Sequence, residues 1–127
     1  MDGMHGADLA GRRVLVVEDE FFIADDLVGA LHGLGAEVVG PVPAASEALT
    51  LISLDQRIDL AVIDLNLLGD TAFGVGDALL ARSVPFVIAT GYEREFLPAR
   101  FRHLPYCEKP FNPRAVLQVL CGLARPV

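Results

Sequence analysis

Five short apolar runs punctuate the chain, and the segments between them are long enough to be helices. "RVLVV" (13–17), "EVVGPV" (37–42), "DLAVID" (59–64), "PFVIAT" (85–90) and "YCEK" (106–109) read as strands. The first is apolar without period-two alternation, as expected of a strand covered on both faces. Residues 21–34 follow it with Ile23, Leu27, Leu31 and Leu34 at helical spacing, and Gly35 stands where a helix C-terminus favours positive φ. Residues 44–54 and 72–82 give two more helices, the second weakened by glycine. Asn112 as N-cap and Pro113 at the first helical position open a last one. Pro98 breaks up residues 91–105, which are expected to hold only one or two short turns in place of a fourth helix.

Parallel neighbours need long crossovers, so this alternation implies a parallel sheet. Right-handed crossovers then place helices on both faces. The expected fold is α/β, a flavodoxin-like (βα)5 doubly wound sheet with strand order 2-1-3-4-5 and a short or irregular fourth helix. Residues 1–11 read as a loose arm before a single domain at 12–125.

In such a sheet the C-terminal strand ends share one edge, where ligands bind. That edge collects Glu18 and Asp19 after the first strand, Asp64 after the third, Thr90 after the fourth and Lys109 after the fifth. Glu18, Asp19 and Glu20 are consecutive, and crowded carboxylates disfavour one another's ionisation. A cation would relieve them. Carboxylates suit a hard ion, and Mg²⁺ is content with one or two of them plus water. Lys109 is the chain's single lysine among 10 basic residues, and a compact ammonium can neutralise a carboxylate or hold a phosphoryl oxygen. A carboxylate nucleophile, a metal, an ammonium and a hydroxyl are the parts needed for phosphoryl transfer to Asp64. Read singly, the acidic pair could be a helix cap favoured by the macrodipole, Thr90 a core residue and Lys109 a solvated one. Their convergence favours the pocket.

The net charge of −7 argues against nucleic acid binding, which wants a basic face. No run approaches the roughly 18 apolar residues of a membrane span. The N-terminus lacks the apolar stretch of a secretory signal, so a cytoplasmic location is expected. Cys107 and Cys121 read as reduced thiols, and His5, His32 and His103 show no motif.

"VVEDE", "VIDLN", "IATGY" and "EKPF" together resemble the four signature segments of the response-regulator receiver domain of two-component signalling, over about residues 12–125. "IATGY" is similar to the Phe-Ala-Thr-Gly-Tyr of the FAT GUY subgroup, with Ile88 for the phenylalanine. The resemblance implies that Asp64 is the phosphoacceptor and Asp19 a direct Mg²⁺ ligand. It implies that Glu18 binds the ion mainly through water and that the Asn66 backbone carbonyl completes the set. Thr90 and Lys109 would contact the phosphoryl group, Thr90, Tyr92 and Tyr106 would form the switch, and Lys109–Pro110 would be a cis peptide. The chain departs from the pattern in having Glu-Asp rather than Asp-Asp, in Leu68 and Gly69 where glycine and proline are usual, and in its shortened fourth helix.

The function so implied is a single-domain response regulator, not an enzyme beyond its own phosphorylation and dephosphorylation. Its partners would be a histidine kinase or histidine phosphotransfer protein and a downstream protein target, with protein binding or phosphorelay as output. The alternatives are an excised receiver of a hybrid kinase and a receiver-like scaffold that is never phosphorylated. A phosphohydrolase of the haloacid-dehalogenase type is disfavoured, because it wants its nucleophile on the first motif strand and an aspartate where Asn66 stands. Ala115, Val119 and Leu123 form a second apolar stripe on the last helix, offered as a surface for a partner or homodimer.

Overall fold

The computed structural model describes residues 6, 8–54, 57–67 and 70–124. Its main sheet has five parallel strands, β1 (Arg13–Val17), β2 (Glu37–Val42), β3 (Leu60–Ile63), β4 (Phe86–Thr90) and β5 (Tyr106–Glu108). Their spatial order is 2-1-3-4-5. The helices are α1 (Phe21–Gly33), α2 (Ala45–Ser53), α3 (Phe73–Ala81) and α4 (Pro113–Ala124). Two turns of 3-10 helix, Arg94–Phe96 and Ala99–Phe101, replace a helix between β4 and β5. Proline at 98 starts the second turn and prevents the first from continuing. Leu68 and Gly69 lie outside the described residues. On either side of them Asn66–Leu67 pairs antiparallel with Asp70–Thr71, a small ladder the apolar pattern does not announce.

The doubly apolar strands divide the core in two. Leu15, Val17, Ala61, Ile63, Phe86 and Ile88 face α2, α3 and Phe101. Val14, Val16, Leu60, Val62, Val87 and Ala89 face α1 and α4. Adjacent residues of each strand therefore serve opposite layers, which is why no polar alternation shows in the sequence. Gly35 ends α1 with φ of 83°, and the Asn112 side chain accepts the Arg114 N–H at 2.9 Å to cap α4.

Two expectations change. The described part of residues 1–11 is not loose. Leu9 is fully buried in the α1/α4 layer and its N–H donates to the Leu34 carbonyl, while the Gly11 N–H donates to that of Gly35. An apolar seat at the C-terminal end of α1 holds this segment, so packing starts ahead of residue 12. The second stripe of α4 is also not a bare face. Ala115 is exposed, but Val119 and Leu123 are half-buried against the core that α4 shares with α1.

Candidate functional site

Among the described residues the buried polar side chains are three, Glu18, Asp64 and Thr90, and all stand just past or at strand ends on one edge of the sheet. The ladder holds each in place. The Glu18 N–H donates to the Val42 carbonyl at 3.0 Å and the Asp64 N–H to that of Val17 at 2.9 Å. The Lys109 N–H donates to the Thr90 carbonyl at 2.8 Å, which ties the residue after β5 to the end of β4. The Lys109–Pro110 peptide is cis.

Lys109 is the centre of the cluster. Its Nζ lies 2.7 Å from Asp64 Oδ2, 2.8 Å from Glu18 Oε1 and within hydrogen-bond distance of Glu20 Oε2. Oxygens of Glu18, Glu20 and Asp64 lie within 4.8 Å of one another, an all-oxygen donor set that could hold a hard cation. Burial raises the Glu18 carboxyl to about 7, outweighing the hydrogen bonds from Lys109 and from the Glu20 backbone, while the Asp64 charge adds to the rise. Burial also works against the Lys109 ammonium, but hydrogen bonds to Asp64, Glu18 and Glu20 more than reverse it, so its pKa is raised. Three carboxylates around one ammonium leave the pocket negative. A divalent cation would correct that.

The structure unites Glu18, Asp64 and Lys109, as their places at the strand ends require. Asp19 is half-buried in the same loop but is not among the three carboxylates that meet. Glu20 stands there instead. It precedes α1 as the N-cap residue, yet its side chain makes no capping bond. Glu18 partly supplies the cap, accepting the Glu20 N–H at 3.1 Å. The clue to Glu20 lay in the acidic run itself, which continues one carboxylate past Glu18 and Asp19. Asn66 is exposed, and its N–H donates to Asp64 Oδ1 at 2.9 Å.

A second network leads away from the pocket. The Tyr92 N–H donates to Thr90 Oγ1 at 3.3 Å, and the Tyr92 carbonyl accepts the Tyr106 hydroxyl. Tyr106 also reaches Glu108 Oε1 at 3.4 Å; burial first, then Glu108, raises its pKa. The Arg94 guanidinium covers the Tyr106 ring at 4.6 Å from its centroid and donates to the carbonyls of Arg102 and Leu104. Nothing in the sequence singled out Arg94, because its partners are backbone carbonyls.

No family model matches the chain. It is 34% identical over 118 residues to the phyllosphere-induced regulator PhyR of Methylorubrum extorquens, covering 90% of this chain and 43% of that protein. Its fold is similar to the crystal structure of the response regulator PhyR from Brucella abortus, at 26% identity and a TM-score of 0.76, over 94% of this chain and 50% of that one. It is similar too to the solution structure of SdrG from Sphingomonas melonis Fr1, at 39% identity and a TM-score of 0.76, over 88% of this chain and 95% of SdrG. The chain belongs to the response-regulator receiver family. SdrG is also known in a BeF3-activated conformation, which this receiver matches at 38% identity and a TM-score of 0.74, over 91% of its own length and 98% of that chain. The receiver spans about half the length of the curated relatives it matches, 43% of PhyR and 51% of the transcriptional regulatory protein PdtaR of Mycobacterium tuberculosis. Among the described residues no helix is long and apolar enough to cross a membrane.

Proposed function

We propose that this receiver is a phosphorylation-controlled switch whose phosphoacceptor is Asp64. The observation that carries the reading is the pairing of a buried carboxylate with the chain's single lysine, 2.7 Å apart at the edge where the strands end. An Asp64 carboxylate oxygen attacks the phosphorus of a phosphohistidine on a histidine kinase or phosphotransfer protein. The P–O bond forms as the P–N bond breaks, and the imidazole leaves with the electron pair and takes up a proton. Lys109 and the Thr90 hydroxyl neutralise and orient the phosphoryl oxygens, a task of positioning and charge.

The oxygen donors present fit Mg²⁺. Glu18, Asp19, Asp64 and the Asn66 carbonyl would hold it, and its charge would offset the excess carboxylates and the incoming phosphoryl group. Phe21 and Phe22, 72% and 79% exposed, follow Glu20 at the start of α1 and offer a donor protein an apolar footing beside the pocket. The BeF3-activated form of SdrG supports the same reading, since beryllofluoride stands in for a phosphoryl group on a carboxylate. Output is phosphorylation-dependent binding of a downstream protein. The test is labelling by acetyl phosphate with Mg²⁺: wild type should take up phosphate and Asp64→Asn should not. Labelling that persists in the variant refutes the assignment.

A further inference from the structure

An ammonium has three hydrogens to donate, and Lys109 spends them on three carboxylates, Glu18, Glu20 and Asp64. Nothing is left for a phosphoryl oxygen. If Lys109 is to hold one, a carboxylate must let go. The side chain of Glu18 is 2% exposed, so releasing it would leave a buried carboxylate without its counter-charge. Asp64, equally buried, exchanges its single charge for the roughly two of the phosphoryl group, so the pocket around the same ammonium becomes more negative. The side chain of Glu20 is 57% exposed and can return to water at small cost. Its freedom is increased because it makes no cap bond to α1.

We propose that Glu20 competes with the phosphoryl group for Lys109. It closes on the ammonium while Asp64 is bare and swings into solvent when Asp64 carries a phosphoryl group. This rests on Asp64 being the phosphoacceptor, and it goes further by assigning a regulatory role to Glu20, the last residue of the first signature segment, to which the resemblance assigns none. The competition lowers affinity for the phosphoryl state. It also links that state to the start of α1, since Phe21 follows Glu20 directly.

The test uses beryllofluoride at saturating Mg²⁺ as the probe, with affinity read by fluorine NMR. Glu20→Gln should bind it about two- to fivefold more tightly than wild type, the scale of one exposed ion pair. Asp25→Asn removes a carboxylate from the first turns of the same helix and should leave affinity near the wild-type value. In wild type the Glu20 carboxyl carbon signal should move when beryllofluoride is added. Equal affinity in wild type and Glu20→Gln, an equal gain in Asp25→Asn, or a static Glu20 signal would each overturn competition. So would a loss of Mg²⁺ affinity in Glu20→Gln, which would make Glu20 a metal ligand. If neither protein binds beryllofluoride, the phosphoacceptor reading falls first and this inference with it.

Discussion

Lys109 Nζ lies 2.7 Å from Asp64 Oδ2, although β3 and β5 do not touch and β4 runs between them. The lysine reaches over the end of β4, where its own N–H is fastened to the Thr90 carbonyl. One side chain thus spans the edge of three strands.

The contact depends on a compact ammonium, so charge alone should not suffice. In Lys109→Arg a planar fork must replace a point donor among three carboxylates. Acetyl phosphate should still label Asp64, but more slowly, by about tenfold or more if one well-placed phosphoryl contact of about 1.4 kcal/mol is lost. A rate within twofold of wild type would show that any cation serves.

Glu18 should make the metal-free protein sensitive to pH. Its folded pKa is raised to about 7, so between its ordinary value of 4.5 and 7 the folded state holds a proton that the unfolded chain has lost. The contribution is full below the lower value and disappears as pH rises through the upper one. In EDTA, stability from urea melts should fall from pH 5 to pH 8 by up to about 3 kcal/mol, and Glu18→Gln should flatten that slope. Mg²⁺ prefers the ionised carboxylate, so the stabilisation it gives should grow over the same interval. A slope unchanged in Glu18→Gln would move the titration to another group.

Strand ends and capped helices were legible because local chemistry decides them. Five apolar runs, Gly35, and the Asn112–Pro113 pair each have one economical structural meaning, and the sheet order follows from the connections. The convergence of Glu18, Asp64 and Lys109 followed from the order. What stayed hidden depends on side-chain direction and tertiary packing. The placement of Glu20 rather than Asp19 beside Lys109 depends on how the chain turns between β1 and α1. The partial cover over Val119 and Leu123 depends on how closely α4 lies to α1, and the seat of Leu9 on the same layer.

The irregular segment before β5 is held by one aromatic anchor. Phe101 is fully buried, 5.9 Å from the Phe73 ring, and its edge fills the space beside Gly76, where an added Cβ would stand 2.8 Å from the ring. Phe101→Ala should cost about 3–5 kcal/mol in urea unfolding. Gly76→Ala should lose about 1–3 kcal/mol to overpacking, less the roughly 1 kcal/mol that alanine gains in a helix. Additive losses in the double variant would mean that the two residues do not share this space. A smaller combined loss is the expected result, because with the Phe101 ring removed nothing meets the new methyl at position 76.

Thr90 and Tyr106 communicate through the peptide groups of Tyr92. Its N–H donates to the Thr90 hydroxyl and its carbonyl accepts the Tyr106 hydroxyl, so one backbone unit joins the pocket to a ring lying under Arg94. When the Thr90 hydroxyl turns to a phosphoryl oxygen, the Tyr92 N–H loses its acceptor and the loop carrying the Tyr106 partner is free to shift. In wild type, beryllofluoride with Mg²⁺ should therefore move the Tyr106 ring signals in NMR. Thr90→Ala removes the hydroxyl but none of the charged groups. It should bind beryllofluoride more weakly by about 1 kcal/mol, the net worth of one hydrogen bond, with Tyr106 no longer responding at saturation. Ring signals that move equally in the variant would show that the pocket reaches Tyr106 by another route.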